Sequence, residues 1–310
     1  MKKLPLKAIL PAIFCNILFG SAGPFIKLGY AEFNIADDLF LRILFAGVRF
    51  FVSGLIVLLV DALRQKAFPK VHRENRWTIL WVAVTYTFLQ YACSYMGLAN
   101  VTGSVGSVIP STTTFISIFV AHFIYRDDRL NLFKILGCVI GFAGILIACY
   151  SGESLGGFSF NGEGLMLASA FFFVIGSVFL KKAGRFNTGF TLTAYNLTIG
   201  GGLLIVVGLI GRSGTVEVTL GGILVLCYLV FVSSVGFTLW SMLLKKYPIS
   251  LLSVFNFIIP ISGTILSGIF LRENIFTWQN ICSLILVTAG ILIVNKLAVG
   301  RGASDGTKPA

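Results

Sequence analysis

The chain has 310 residues, of which 56% are hydrophobic and only 12% charged, with a mean hydropathy of +0.93. Soluble domains carry roughly 25% charged residues, so this is the composition of a membrane protein. The net charge of +12 does not point to nucleic acid, because the basic residues fall in short connections between apolar stretches. The two histidines form no HExxH, the six cysteines no CxxC, and there is no GxxxxGK[ST] loop. No catalytic centre, metal, cofactor or ATP drive is therefore expected.

Ten apolar stretches follow one another, at about 8–29, 38–60, 77–98, 102–125, 133–150, 161–183, 189–211, 219–242, 249–271 and 276–296. Each is long enough to cross about 30 Å of hydrocarbon. Backbone groups in lipid must bond internally, which makes stretches of this length helices rather than barrel strands. The Lys2-Lys3 start imitates a signal peptide, but no small-x-small cleavage site leads into a polar chain, so span 1 is retained. Prolines fall inside span 1 (Pro24), span 4 (Pro110) and span 9 (Pro260). Each removes a backbone bond and frees the carbonyl four residues earlier, so these three helices are expected to be interrupted. Proline is also common in membrane helices for structural reasons alone.

Polar side chains gather in particular spans. Asn16 lies in span 1, Tyr86, Gln90 and Ser94 form a stripe in span 3, and Ser104, Ser107, Ser111 and Thr114 share a face of span 4. Ser253, Asn256, Thr264 and Ser267 do the same in span 9. Arg49, near the middle of span 2, is the most informative single residue. An unpaired charge there costs at least about 2.5–3.5 kcal/mol, and no Asp or Glu occupies the middle of any span. Two readings stand: a contact for a substrate carboxylate or phosphate, or a structural arginine that snorkels along its stem or holds neighbouring helix ends by hydrogen bonds to their carbonyls. His122 is the only candidate for a proton relay within a span, with an interfacial histidine as the plainer reading. Spans 5 and 10 have almost nothing polar at their centres. Gly137 and Gly141 in span 5 make a small-residue ridge suited either to a homodimer seam through spans 5 and 10 or to packing within the chain.

The sequence also repeats. Ala143-Gly144-Ile145-Leu146-Ile147 recurs as Ala289-Gly290-Ile291-Leu292-Ile293, a shift of 289 − 143 = 146 positions. The same shift pairs Gly54 with Gly200, Ser104 with Ser250, Ser107 with Ser253, Arg126 with Arg272 and Asp127 with Glu273. Each copy holds five spans, an odd number, so the second copy must be inverted relative to the first. All of the 24 Lys and Arg except Lys27, Arg42, Arg49, Arg212 and Arg272 lie on one face of that arrangement. This fixes both termini in the cytoplasm. The expected organisation is a first five-helix repeat over 1–150, a second over 151–299 and a disordered tail over 300–310.

With these features the chain resembles the EamA-type members of the drug/metabolite transporter superfamily, over about residues 8–296. The resemblance rests on the two five-span repeats and on Leu18-Phe19-Gly20-Ser21 with Ile26-Lys27 in span 1. It rests further on Val48-Arg49-Phe50-Phe51 in span 2 and on Pro260, Arg272-Glu273 and Ala289-Gly290-Ile291 toward the end. The family's usual tryptophan before the span 1 glycine is Phe19 here, and Pro110 stands four residues before the position that Pro260 implies for the first repeat. The resemblance implies an inner-membrane carrier, often an exporter of metabolites such as amino acids, with a central cavity and with spans 5 and 10 outside it.

The expectation is thus an all-α polytopic membrane protein of ten transmembrane helices arranged as two inverted five-helix repeats. Its expected work is secondary transport of a small polar metabolite, an amino acid first, across the cell membrane by alternating access. Uptake or exchange of an organic acid or nucleoside-like solute is the alternative, and a non-transporting receptor or assembly subunit is the alternative from another class. The expected substrate contacts are Asn16, Arg49, Tyr86, Gln90, Ser107, Ser111 and Asn256. Pro24, Pro110 and Pro260 are the expected hinges, and Trp240 an aromatic gate.

Overall fold

The structure is a computed structural model that describes residues 6–124, 132–149, 159–184, 187–246 and 253–301. The described residues form ten helical rods. The helices are α1 (Leu6–Glu32), α2 (Leu39–Gln65), and α3, made of Arg76–Val82, a π-helical stretch Ala83–Leu89, and Gln90–Leu98. Helix α4 consists of Gly103–Val108, a 3-10 turn Ile109–Ser111, and Thr112–Ile124; α5 is Leu132–Cys149. The second set is α6 (π-helical Phe160–Gly164, then Leu165–Ala183), α7 (Gly189–Gly211) and α8 (Leu220–Lys246). It closes with α9 (3-10 Ser253–Phe257, then Ile258–Phe270) and α10 (Trp278–Arg301).

Six helices are long and apolar enough to cross a membrane by length and composition, and three shorter apolar ones cover Leu132–Ala148, Phe255–Phe270 and Trp278–Ile293. The interrupted α3 completes the ten. Side chains fix several starts: Asp38 caps α2 through the Phe40 and Leu41 amides, Thr102 caps α4, and Thr188 caps α7. Helix α10 runs to Arg301, so Gly300 belongs to it rather than to a disordered tail; residues 302–310 lie outside the described residues, as does the joint from Ser151 to Gly157.

The contacts between helices map onto themselves when the halves are exchanged. Helix α1 packs on α8 and α9, and its counterpart α6 packs on α3 and α4. Helix α2 packs on α3 and α8, and its counterpart α7 on α8 and α3. Of the contacts that join a helix to its own counterpart, α4–α9 is the smaller, and α2–α7 and α5–α10 form long self-paired seams.

Both self-paired seams run antiparallel, and glycine is the reason they close. Along α2–α7 a Cβ on Gly208 would meet the Leu44 backbone, on Gly47 the Ile205 backbone, on Gly201 the Phe50–Phe51 backbone, and on Gly54 the Thr198 backbone. Numbers rise on one helix as they fall on the other. Two equivalent helices can pack antiparallel only about an axis that crosses them, so the copies are inverted. In the α5–α10 seam a Cβ on Gly290 would fall 2.6 Å from the Gly137 carbonyl and 2.8 Å from Gly141. The small-residue ridge of span 5 is therefore filled by α10 of the same chain. The core holds Tyr30, Phe45, Phe50, Tyr95 and Phe115, with Leu197 and Leu204 from the second half.

Candidate functional site

A polar network built on Arg49 forms where α1, α2, α3 and α8 meet. Arg49 is 2% exposed. Its Nε donates to the Leu229 carbonyl (3.2 Å) and to Ser233 Oγ (2.9 Å) on α8, and its Nη1 donates to the Tyr95 hydroxyl (2.8 Å) on α3. Tyr30 of α1 donates its hydroxyl to the Tyr95 carbonyl at 2.7 Å. Ser53, one turn along α2, donates to the Arg49 carbonyl (2.7 Å) and is 3.3 Å from the Val230 carbonyl. Three acceptors on two other helices thus offset the cost of an intramembrane cation. In this conformation the guanidinium braces the first half against α8, through two hydroxyls and one mid-helix carbonyl.

Tyr86 lies in the π-helical stretch of α3. A π turn widens the helix by one residue and needs room, and the neighbours supply it by having no side chain there. A Cβ on Gly176 of α6 would sit 2.5–2.8 Å from Tyr86, and one on Gly200 of α7 2.5 Å from Thr87 Cβ. Thr87 Oγ1 donates to Asn196 Oδ1 at 2.9 Å, tying the turn to α7. Tyr86 packs against Phe173 (centroids 4.8 Å apart) and Phe237 (6.5 Å), and Phe19 reaches Phe237 (5.4 Å) and Trp240 (6.4 Å). These rings, from α1, α3, α6 and α8, form one aromatic layer drawn from both halves.

Gln90 lies one turn beyond Tyr86 on α3, away from the basic end of that helix; Asn16 lies just before Phe19 on α1, toward the basic end. Both amides are buried, and Gln90 Oε1 and Asn16 Oδ1 have no hydrogen-bond partner, while Asn16 Nδ2 donates to the Ala12 carbonyl at 2.7 Å. Ser111 Oγ, in the 3-10 turn of α4, is likewise buried and unpartnered. An unsatisfied buried polar atom costs about 1–3 kcal/mol; among the described residues the hydroxyls of Thr198, Ser234, Ser267 and Thr288 are in the same state, so the two amide oxygens are the only carbonyl-type acceptors of the seven. Ser107 differs: it bonds the Ser104 carbonyl at 2.7 Å and stands 3.2 Å from Thr264 Oγ1, inside the α4–α9 contact. Asn256 lies in the 3-10 start of α9 and is part-exposed.

The prolines do not act alike. Pro110 sits within the 3-10 turn that breaks α4. In α9 the 3-10 stretch Ser253–Phe257 is the described start of the helix and precedes Pro260, which lies in the continuous Ile258–Phe270; the 146-residue shift carries Ile109–Ser111 onto Phe255–Phe257 within it. Pro24 does not interrupt α1, which is continuous from Leu6 to Glu32. One missing bond is tolerated in a long helix, and the Gly20 carbonyl that Pro24 frees lies against Gly263 of α9. Trp240 is half-buried, its ring edge-on to Phe19. His122 falls on α4, with its side chain outside the described residues.

Sequence reading missed Tyr95 and Ser233, which hold Arg49, Tyr30, which holds Tyr95, and the role of Glu273. The Glu273 carboxylate accepts from the Gly103 amide (2.6 Å), the Ser104 amide (3.0 Å) and Ser104 Oγ (2.9 Å), so the turn after α9 caps the start of α4. Arg272, with φ of 56°, takes the left-handed backbone that aims it there. On that side of the membrane α4 is buried from Ser107 to Ile109, and Thr264 and Ser267 of α9 are buried with it. Toward the basic face, most side chains from Thr113 on and those of Phe255–Ile259 are part-exposed. Glu273 thus ties the two helices together on that side, where Ile265, Ile269 and Phe270 of α9 are themselves exposed.

Comparison with known proteins fits this architecture. The family model described as the EamA-like transporter family matches residues 6–150 and again 160–296. An uncharacterized transporter of Bacillus subtilis (strain 168), YvbV, is 27% identical over 98% of this chain and 97% of its own length. A probable amino-acid metabolite efflux pump of Salmonella typhimurium is 22% identical over 81% of this chain and 84% of its own, and its Escherichia coli (strain K12) namesake 24% over 79% and 83%. A solved crystal structure superposes with a TM-score of 0.68 over 94% of this chain and 99% of that one, at 15% identity, a likeness of fold.

Proposed function

The chain belongs to the EamA-like transporter family, and from that premise we propose that it is a secondary carrier working by alternating access. Its proposed work is export of a small polar metabolite, with an amino acid first. It is a multi-pass membrane protein of the drug/metabolite transporter type, and its named relatives are transporters and efflux pumps. The single observation that carries the finer reading is a pair of 3-10 stretches. Helices α4 and α9 change to 3-10 geometry at corresponding positions of two inverted halves, where carriers build their substrate sites.

The unpartnered Gln90 Oε1 and Asn16 Oδ1 suit the N–H donors of an ammonium group, and Ser111 Oγ either partner of a hydrogen bond. Arg49 supplies the cation for a carboxylate, which would take the place of the Tyr95 hydroxyl on Nη1. Both termini would then face the cytoplasm. Counterflow in proteoliposomes tests the carrier: saturable exchange of labelled amino acid supports it, whereas no flux and no ligand-induced thermal shift across a solute panel would sink it. Arg49→Gln should raise the KM for a zwitterion at least tenfold; unchanged affinity would leave Arg49 as a brace alone.

A further inference from the structure

Two adjoining cavities, of about 440 and 220 Å³, open on the outer surface between α2 and α8. Both are lined by Ile56, Ser234 and Val235, so they form one groove. Along α8 it runs from Leu226 to Leu239, about 20 Å at 1.5 Å per residue. Half of the ~30 Å hydrocarbon layer is about 15 Å, so the groove is long enough to hold one acyl chain of a single leaflet. Ser234 and Thr238 apart, its lining is apolar.

The end of the groove toward the basic face is not apolar. Phe190 of α7 lines it there, and the Arg64 guanidinium lies over the Phe190 ring at 4.0 Å from the centroid. Arg64 is one turn past Val60, the last α2 residue of the lining, and is itself exposed. Stacking engages the face of a guanidinium, whereas phosphate is taken by its N–H edge. Asp61, the nearest acid on α2, is buried and accepts from the Thr191 hydroxyl at 2.7 Å, turned to α7 rather than to the groove. Lys66 and Lys70 follow in the same connection and add to the positive potential.

An apolar trough of one leaflet's depth that ends in an oriented cation has the chemistry of one occupant. We propose that this groove is a binding site for an anionic phospholipid, with an acyl chain along α8 and the phosphate on Arg64. A neutral lipid would fill the trough equally well but would make no use of Arg64, which is why the charge of the headgroup is the discriminating feature.

The experiment reconstitutes the protein in bilayers of phosphatidylglycerol and phosphatidylethanolamine, extracts it in mild detergent and counts retained lipids by native mass spectrometry. Wild type is expected to retain one phosphatidylglycerol preferentially. Arg64→Gln should lower that retention about fivefold, the worth of one basic residue at an anionic surface. Arg73→Gln, exposed and off the groove, should leave it unchanged. Val235→Trp, which fills the groove, should lower retention of both lipids; if it fails to fold, the comparison of Arg64→Gln with Arg73→Gln still decides. Equal retention in wild type and Arg64→Gln would overturn the site, as would an equal loss in Arg73→Gln, which would indicate only a diffuse surface charge. Inorganic phosphate added alone separates headgroup capture from lipid capture: full displacement of the lipid by phosphate would refute the role of the groove.

Discussion

Two adjacent glycines of α7 make a controlled test of the seam that joins the halves. A Cβ on Gly201 would fall 2.9 Å from Phe50 C and Phe51 Cα, and nearer still to the Phe51 nitrogen. Contact of a Cβ with a heavy atom becomes ordinary at 3.4 Å, so the backbones must part by at least half an ångström. A radial gap of 0.5–1 Å forfeits a quarter to a half of each dispersion contact along the seam, and overpacking of this kind costs about 1–3 kcal/mol. On Gly202 the nearest atoms are Phe51 Cδ2 at 3.8 Å and Cε2 at 3.9 Å, which is ordinary contact. There the change to alanine keeps the seam and gains up to about 1 kcal/mol of helix propensity. Gly201→Ala should therefore be less stable than Gly202→Ala by about 2 kcal/mol, or roughly 4 °C in melting temperature. Thermal unfolding in detergent, followed by tryptophan fluorescence or circular dichroism, reads the difference. Equal midpoints, or a higher one for Gly201→Ala, would refute the argument that backbone approach at Gly201 holds α2 to α7.

Four further outcomes are expected. Tyr95→Phe removes one of three acceptors from Arg49 and should cost about 0.6–1.7 kcal/mol, the range for hydrogen bonds within membrane proteins, measured by the same melts. Thr87→Val leaves the buried Asn196 Oδ1 without its donor and should destabilise by about 1–3 kcal/mol, whereas Thr87→Ser should restore most of it. Glu273→Ala should loosen the start of α4, read as faster reaction of an introduced Ser107→Cys with a thiol reagent applied from the Glu273 side; unchanged labelling would show that Glu273 does not tie α4 to α9. At Asp38, burial tends to raise the carboxyl pKa, but the amides of Leu41, Ser213, Gly214 and Phe40 outweigh it and hold the group below its ordinary value. A depressed carboxyl contributes stability above the unfolded value near pH 4, and loses it as pH falls through the lower folded value. The gap in melting temperature between wild type and Asp38→Ala should therefore be present at pH 7 and shrink below about pH 4.

The membrane class, the ten helices and the inversion were all legible, because hydropathy, an odd number of spans per repeat and one-sided charge are properties of the chain read along its length. The partners of Arg49 were not. Tyr95 and Ser233 stand 46 and 184 residues away in sequence, and nothing in their local surroundings marks them as acceptors. Proline was a partial guide: Pro110 lies in a 3-10 turn, Pro260 follows one, and Pro24 sits in an unbroken helix whose freed carbonyl is covered by Gly263. Glycine was the under-read signal. Gly47, Gly54, Gly201 and Gly208 set the α2–α7 seam, yet glycine in a membrane helix has many uses, and only the facing backbone shows which applies. The ridge of Gly137 and Gly141 likewise became readable only with Gly290 opposite it.

The widened turn of α3 has a consequence for the length of the chain. Between Ala83 and Leu89 there is neither proline nor glycine to force it, and it amounts to one residue more than an α-helix of the same rise requires. The wide turn absorbs that residue locally, so the helix on either side keeps close to its α-helical phase. Deleting a single residue there would let α3 run as a plain helix with Tyr95 still turned to Arg49. Deleting one from the regular turns between Gln90 and Tyr95 has no such slack, and would swing everything after it by about 100°, one residue's turn at 3.6 per revolution. The π-helical stretch is thus the one part of α3 that can lose a residue without taking Tyr95 off the guanidinium.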